Sequence, residues 1–479
     1  MPLKNFKYNE MKKIIILTLT LATLTFLGCE DYMDISPKGK VIPETIDHYQ
    51  ELMSNRNKFQ IGPTNMFQLS DEIVMYDDEI NRLFTKIIET ENTYLFRDHI
   101  YLSTDDPDSD WESLYGQIYV CNVVLDNIDQ AEGNNEELRK QVKGEALAQR
   151  AHAFFWLINL YAKQYDNTTS ATDLGVPMPV EADVNATLER TTVQAVYSLI
   201  ENDLLEAEKV LPLTPEFNYR PSKPGVQGLL AKMYLNMGKF DKALEYANKS
   251  LSEYSFLYDY KTFDFHPFMP KFMGPFPWPS VVIDDQEAVW GRSPSFPFPY
   301  TVAVYITDEL KALYDEGDRR YYFSFIEASM FGPNLHGPSI IAPGLRHRSG
   351  IHTAELYLIR AECNARLGNA AAAINDLNTL REKRFNEGAF VAYPTDLSSD
   401  EALNLALKER RVELFLDGQR LFDLKRLNKE PRFAKTITRT FKGETYTIEP
   451  DDENYVLAIP KKVIALNPKI EQNPRAGRN

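Results

Sequence analysis

Charged side chains interrupt the most regular apolar pattern of the chain, between residues 405 and 427. At helical spacing, Glu409 shares a stripe with leucine and valine side chains, and Arg411 lies in the neighbouring stripe. A carboxylate in such a place can act as a general acid or base, or it can form one half of a buried ion pair. Because guanidinium and carboxylate groups continue through Asp423 and Arg426, the pattern favours a structural ion network over catalysis.

A glycine divides this stretch into two parts. Gly418 can adopt the left-handed conformation that ends a helix, so the sequence predicts a helix, a glycine turn and a short second helix. Charges inside a packing face are tolerated when they are paired and hydrogen-bonded. We therefore predict that internal Arg–carboxylate pairs join the two helices, and that loss of Arg411 leaves a buried carboxylate without its partner.

The other chemistry-bearing residues show no spacing typical of a catalytic or metal site. The cysteines Cys29, Cys121 and Cys363 form neither a disulfide framework nor a zinc pattern, and the seven histidines are scattered. The sequence contains no nucleophile elbow, P-loop or dinucleotide-binding fingerprint. We predict a protein without metal, cofactor or enzymatic activity, in which Cys121 is a small buried apolar side chain.

Several strings resemble those of one known family, and together they extend over most of the chain. They are Trp111 to Asn122, residues 144–165, Leu174 to Pro177, Glu409-Arg410-Arg411, Glu413-Leu414, Gly418-x-Arg420, Asp423-Leu424-x-Arg426, Ile459-Pro460, Leu466-Asn467-Pro468 and Gln472-Asn473-Pro474. These strings resemble the SusD/RagB family of outer-membrane nutrient-binding lipoproteins. Asp417 replaces the glutamate that usually precedes the glycine in that family.

The N-terminus has the order of a lipoprotein signal. Lys12 and Lys13 precede an apolar run over residues 14–27, which is short for a membrane span and suits a signal-peptide core. Gly28 and Cys29 follow, so we predict a signal peptide over residues 1–28 and a lipid-bearing Cys29. An ordinary secretory signal is the alternative, and translation can start at Met1 or Met11. The resemblance, with acidic residues after Cys29, implies a lipid-anchored protein of the cell outer membrane that faces the extracellular side.

The net charge excludes one class of partner. The chain carries a formal charge of −16, and removal of residues 1–28, which hold four lysines and one glutamate, leaves −19. So acidic a chain is a poor ligand for nucleic acid or for an anionic membrane surface.

Helical periodicity dominates the body of the chain. It predicts helices over residues 44–58, 111–130, 145–165 and 192–210. Residues 229–248 align without gaps on residues 359–378, with Gly238 and Gly368 at the same place between two helices. The spacing resembles tetratricopeptide repeats, and the pair at 145–165 and 192–210 would form a third, divergent unit. The predicted fold is all-α: a tetratricopeptide-like helical-hairpin scaffold with long irregular loop inserts, as in SusD-like proteins.

The predicted domain organisation is one SusD-like nutrient-binding domain over residues 29–479, with an N-terminal part over 29–210 and a repeat-containing part over 211–479. Between the two repeats, residues 258–348 are rich in proline, glycine and aromatic rings, which indicates long surface loops. Loops on a rigid scaffold are common places for binding residues.

The candidate ligand-binding residues come from this insert and from the resemblance. They are Phe276, Trp278, Trp290, Phe298 and Tyr300 from the insert, and Asp71 and Trp111 as positions matched to the family. The alternatives are that the rings pack the loops onto the scaffold and that Asp71 caps a helix.

The resemblance implies a non-catalytic function in nutrient capture. It implies that the protein binds an oligosaccharide and delivers it to a SusC-like TonB-dependent transporter, with a peptide ligand as the alternative. A repeat adaptor that binds only proteins is a further alternative, and the aromatic insert argues against it. Sugar rings stack their apolar faces on aromatic side chains, while polar groups bind the hydroxyls.

Overall fold

The structure is a computed structural model that describes residues 43–78, 88–269, 271, 274–279, 282–294, 304–326, 339–340, 348–415 and 417–477. Residues Ile46–Asn479 form one compact unit. Within the described residues, no helix is both long and apolar enough to cross a membrane.

Helices provide most of the regular structure in the described residues. In chain order they are α1 Ile46–Met53, α2 Arg56–Phe59, α3 Ile88–Tyr94, α4 Ser109–Asn127, α5 Glu136–Tyr161, α6 Val193–Glu208, α7 Lys223–Asn236, α8 Phe240–Glu253, α9 Asp308–Lys311, α10 Arg319–Ser324, α11 Thr353–Arg366, α12 Ala370–Glu382, α13 Ser399–Glu413, α14 Gln419–Leu427 and α15 Lys461–Leu466. The helix-rich fold that the sequence predicts is confirmed.

Strands are short and pair two by two. They are β1 Ile61–Gly62, β2 Ile73–Val74, β3 Leu174–Pro177, β4 Arg190–Thr192, β5 Asp264–Phe265, β6 Pro275–Phe276, β7 Ala288–Trp290, β8 Ser293–Pro294, β9 Tyr305–Ile306, β10 Phe325–Ile326, β11 Ser339–Ile340, β12 Ile351–His352, β13 Ile437–Phe441 and β14 Glu444–Ile448. The pair β1–β8 is parallel, and the pairs β2–β9, β3–β4, β5–β6, β7–β12, β10–β11 and β13–β14 are antiparallel.

The two predicted repeats are antiparallel helical hairpins, α7 with α8 and α11 with α12. Gly238 joins the first pair with φ of +70°, and Gly368 joins the second with φ of +86°. A Cβ atom built on either glycine would meet nothing within 4 Å, so backbone conformation rather than space demands glycine there. The predicted glycine turns are confirmed.

The other helix predictions hold with one change. Helices α4 and α6 lie close to their predicted ranges, whereas α5 begins at Glu136, well before the predicted start at residue 145; α5 and α6 pack against each other. The single helix predicted over residues 44–58 is wrong, because Asn55 interrupts it. The Asn55 side chain accepts a hydrogen bond from the backbone N–H of Lys58 at 3.2 Å and starts the separate helix α2.

The aromatic insert contributes to the core as well as to the surface. Trp290 in β7 is fully buried, as is Arg292 just after it, and β7 pairs with β12 at the start of α11. The prediction of surface loops is therefore wrong for this part of the insert. Among its described residues, proline limits the insert to the short helices α9 and α10 but does not keep its other side chains out of the core.

Candidate functional site

Asp71 is a buried member of an ion cluster rather than a free carboxylate. Its Oδ1 accepts from Nε of Arg420 at 2.6 Å, and its Oδ2 accepts from Nζ of Lys435 at 2.6 Å. Burial raises the pKa of the Asp71 carboxyl, but the opposing effect of Arg420, with Arg411 and Lys435, brings this pKa well below its ordinary range. Its oxygens are held by cations, it lies away from solvent, and it caps none of the helices in the described residues.

The neighbouring Glu72 behaves in the opposite way. Its Oε1 lies 3.6 Å from Arg411 and 3.8 Å from Arg420 and has no hydrogen-bond partner. Burial raises the pKa of Glu72 to about 7, against the lowering effect of the two guanidinium groups. The two adjacent carboxylates therefore differ in charge near neutral pH.

Buried Arg–carboxylate pairs join α13 and α14, as predicted. Nε of Arg410 donates to Oδ2 of Asp423 at 2.8 Å across the turn, and Arg410 also reaches Glu355 at 3.3 Å. Gly418 has φ of +78° between the two helices. The structure corrects the role predicted for Arg411. Its shortest bond goes to the exposed Glu309, at 2.8 Å, and Arg420 is the main partner of Asp71.

Three of the predicted ligand-binding rings lie in the core. Trp111 packs 4.9 Å from the ring of Tyr161, and Trp290 packs 5.0 Å from the ring of His152. Trp278 is buried in a separate aromatic cluster, 4.9 Å from the ring of Tyr260. The alternative interpretation for the insert, that its rings pack the loops onto the scaffold, describes the positions of Trp278 and Trp290, and Trp111 lies in α4. Tyr300, Phe298 and Cys29 lie outside the described residues.

An open groove lies beside the remaining candidate, Phe276. We call it the aromatic groove; its volume is about 800 Å³, and its lining residues are Asp264, Lys271, Lys311, Tyr314, Asp315, Glu316, Gly317, Asp318, Arg319, Tyr321, Tyr322, Phe325 and Asn386. Helix α10 provides Arg319, Tyr321 and Tyr322, and β5 provides Asp264. A groove of this size can accommodate several sugar units.

Tyr322 is the most accessible ring in the groove. It is 41% exposed, because the short helix α10 turns Arg320 and Phe323 into the protein. The Tyr322 hydroxyl donates to Oδ1 of Asp264 at 2.9 Å. Burial and Asp264 raise the pKa of Tyr322, so the phenol stays protonated and can hydrogen-bond a hydroxyl.

Phe276 does not line the groove but lies next to one of its residues. It is the cross-strand partner of Asp264 in the antiparallel pair β5–β6, and partners of this kind project from the same face. Its ring is 64% exposed. The Asp264 carboxylate therefore lies between the accessible phenyl ring of Phe276, its cross-strand partner, and the hydroxyl of Tyr322, which donates to it.

Cations approach the Tyr322 ring. The guanidinium carbon of Arg319 lies 5.4 Å from the ring centroid and Nζ of Lys271 lies 5.7 Å from it. Arg319 Nη1 donates to Oδ1 of Asn386 at 2.6 Å, and its Nη2 donates to the carbonyl of Phe263 at 2.6 Å. The groove thus presents aromatic faces together with donors and acceptors, which is a surface suited to a sugar.

Sequence reasoning missed Tyr322, Arg319 and Asn386. A local signal was present in Arg319-Arg320-Tyr321-Tyr322, where two cations are followed by two aromatic rings. The helix α10 then buries Arg320 and leaves Tyr322 accessible. Asn386 carried no signal, because it is brought to the groove by contacts with distant segments, a bond from Arg319 across a separation of 67 residues and a backbone hydrogen bond to Gly317.

A second cavity, of about 650 Å³, lies beside the end of α5, but its accessible chemistry is less suited to sugar stacking. Its one aromatic lining residue, Tyr455, is buried, and its Lys425 donates to the carbonyls of Asn159 at 2.6 Å and Ala162 at 2.8 Å. Within the described residues, no group of three or more His, Cys, Asp or Glu side chains is placed to hold a metal ion.

Comparison with known families gives two matches on this chain. A SusD-like family model, described as starch-binding and associating with the outer membrane, matches residues 31–235. The SusD_RagB model, described as the SusD family, matches residues 350–475. The two matches leave out the second helix of the first repeat and the aromatic insert, which lie between the matched ranges.

Individual proteins show the same likeness over nearly the whole chain. The SusD-like protein P38 of Formosa agariphila is 22% identical over 97% of this chain and 99% of its own. A SusD superfamily protein from Bacteroides thetaiotaomicron has 19% identity and a TM-score of 0.69, over 90% of this chain and 100% of that one. A SusD-like carbohydrate binding protein from Bacteroides vulgatus has 20% identity and a TM-score of 0.64, over 89% and 97%. At this identity the two structures show a shared fold.

Proposed function

Because the chain belongs to the SusD/RagB family, we propose that it binds an oligosaccharide in the aromatic groove and delivers it unaltered to a SusC-like TonB-dependent transporter of the outer membrane. The observation that carries the proposal is the placement of Tyr322, Asp264 and Asn386 in one open groove, with the exposed ring of Phe276 opposite Asp264 in the strand pair β5–β6. Apolar sugar faces stack on such rings, and the polar side chains bind the hydroxyls.

The open shape of the groove favours capture and release. A ligand on one or two exposed rings keeps part of its surface in water, so we expect affinities on the order of micromolar to millimolar. Weak binding suits a protein that passes its ligand to a transporter, because a tightly held nutrient would leave slowly.

The first test is a binding screen of the purified chain from residue 30 onward. Soluble oligosaccharides of several backbones and a peptide pool are titrated by calorimetry, and bound ligand is recovered and analysed for cleavage products. We expect heat from an oligosaccharide and recovery of the intact ligand. Binding of peptides alone would replace the ligand class, and products that persist through repeated purification would make the protein an enzyme.

The second test concerns attachment to the outer membrane. We propose that residues 1–28 are a signal peptide, that Cys29 carries the lipid, and that the mature protein faces the outside of the cell. An alkyne analogue of palmitate should label the wild type in a Gram-negative host, and Cys29→Ala should lose the label and leave the membrane fraction. A labelled Cys29→Ala protein would contradict the proposal.

Delivery to the transporter is tested by copurification. A tagged wild type should retain a TonB-dependent transporter after mild detergent extraction, when the genes are expressed together in the native host. We also propose that the mature protein is one domain over residues 29–479, with an N-terminal part over residues 29–210 and a second part over 211–479. Retention of other soluble proteins in place of a transporter would favour an adaptor.

A further inference from the structure

We propose that the ligand of the aromatic groove is an acidic oligosaccharide, one that carries carboxylate or sulfate groups, rather than a neutral one. This inference rests on the proposed function and names the ligand class of the same site. It departs from the starch-binding description of the matching family model, since starch is neutral.

The cations of the groove are not neutralised by ion pairs. Among the described residues, no carboxylate lies within ion-pair distance of Lys271, Lys311 or Arg319. The bonds of Arg319 go to a side-chain amide and a backbone carbonyl, which are neutral acceptors. Lys271 lies over the rings of Phe265 and Tyr322, at 5.3 and 5.7 Å from their centroids.

Two carboxylates of the groove already have cationic partners outside it. Asp315 receives Nζ of Lys408 at 2.8 Å and Nη2 of Arg381 at 2.8 Å. Asp318 is bound at 2.6 Å by Arg320, which it shares with Glu409 and Glu413. Neither carboxylate pairs with Lys271, Lys311 or Arg319.

The carboxylates that remain are outnumbered. Asp264 accepts from the Tyr322 hydroxyl at 2.9 Å and from the backbone N–H of Phe265 at 2.8 Å, and Glu316 lies in an exposed turn. Three unpaired cations thus face two carboxylates without a cationic partner, in a chain whose formal charge is −16. Cations that no carboxylate pairs are available to bind an anion.

The geometry matches the shape of an acidic sugar. The carboxylate of a uronic acid, or a sulfate on a primary hydroxyl, projects from the edge of the ring, while the apolar face stays free to stack on an aromatic side chain. A ligand whose apolar face packs against the exposed part of Tyr322 would bring that edge toward Arg319 and Lys271. Guanidinium groups bind carboxylate and sulfate oxygens with paired, charge-assisted hydrogen bonds.

The test uses matched pairs of ligands. Hepta-saccharides of α-glucan, β-glucan, galactan and mannan are each prepared neutral, oxidised to the carboxylate at C6, and sulfated at C6, and each is titrated calorimetrically. For at least one backbone we expect an acidic form to bind about five- to tenfold more tightly than its neutral parent at about 20 mM salt, and the preference to shrink at about 300 mM salt. The carboxylate and sulfate arms distinguish the two sources of charge.

Variants locate the preference in the groove. Lys271→Gln with Arg319→Gln should remove most of the preference, and Lys140→Gln with Lys143→Gln, which removes the same charge from an exposed face of α5, should leave it intact. Both double variants are first checked for an unchanged melting temperature, and Lys271→Gln alone replaces the first pair if that pair is destabilised. Equal or tighter binding of every neutral form, or a preference that the groove variants do not change, overturns the proposal. Binding of no ligand in the panel would instead contradict the proposed function.

Discussion

The ion network around α13 and α14 and the aromatic groove use the same residue types in opposite ways. In the network, Arg410 is buried and hydrogen-bonded to Asp423 at 2.8 Å. In the groove, Arg319 is half-buried, lies over the Tyr322 ring and pairs with no carboxylate among the described residues. The difference teaches that charge and aromaticity do not identify a binding site, whereas incomplete pairing and exposure point to one.

The largest effect expected is on stability, from removal of a buried network cation. Arg410→Ala leaves Asp423 with only its bonds to Arg426 and weakens the hold on Glu355, so we expect a loss of about 3–5 kcal/mol in the free energy of unfolding. Chemical denaturation measures it.

The matched control is Arg432→Ala, whose partner Asp400 is exposed, and it should cost less than about 1 kcal/mol. Equal losses in the two variants would show that the network is not a buried structural element.

Removal of a buried ring should likewise affect folding and not binding. Trp290 is fully buried and its Nε1 donates to the carbonyl of Tyr219 at 3.2 Å, so Trp290→Ala should cost roughly 3–5 kcal/mol. Phe276→Ala, at an exposed ring, should leave the melting temperature nearly unchanged. A Trp290→Ala protein with normal stability and weakened ligand affinity would return this ring to the binding site.

The buried carboxyl group of Glu72 should make the stability of the fold depend on pH. Because the pKa of Glu72 is raised from 4.5 to about 7 in the folded protein, the folded state favours its protonated form. Its contribution is present below pH 4.5 and is lost as the pH rises toward 7, by on the order of 1–3 kcal/mol relative to Glu72→Gln. Denaturation of both proteins across this range measures the difference, and parallel pH profiles would contradict the assignment.

A smaller effect tests the scaffold. Gly368→Ala forces a side chain into a conformation with φ of +86° and should cost about 1–2 kcal/mol. Gly116→Ala in the middle of α4 is the control, since the new Cβ would meet only Nζ of the flexible Lys58 within 4 Å. That control should be neutral or slightly stabilising. A tolerated Gly368→Ala would contradict the role of the glycine in the hairpin turn.

Local features of the fold could be predicted from the sequence, and distant pairings could not. The turns at Gly238 and Gly368 follow from residues close to them in the chain, so the repeat was visible in one sequence. The partner of Asp71 is Arg420, 349 residues away, and nothing in local spacing identifies it. The sequence therefore predicted buried ion pairs between α13 and α14 but assigned Asp71 to the ligand.

The candidate site shows the same limit. The composition of the insert predicted many rings on irregular chain, but it could not separate Trp278 and Trp290, which find tertiary partners, from Phe276, which remains exposed. Burial depends on which other segments fold over a ring, and this is a property of the whole fold. Tyr322 became a candidate only when the strand pair β5–β6 placed Asp264 beside it.

The central claim is that the aromatic groove binds the ligand while the ion network around α13 and α14 holds the fold. The most direct measurement compares wild type with Tyr322→Ala for both affinity and melting temperature, using the oligosaccharide that binds best in the screen. Loss of a stacking ring should weaken binding by about 0.5–1.5 kcal/mol, a few-fold to roughly tenfold in Kd, and leave the melting temperature unchanged. Unchanged affinity in Tyr322→Ala and in Phe276→Ala would contradict the claim and place the ligand elsewhere on the protein.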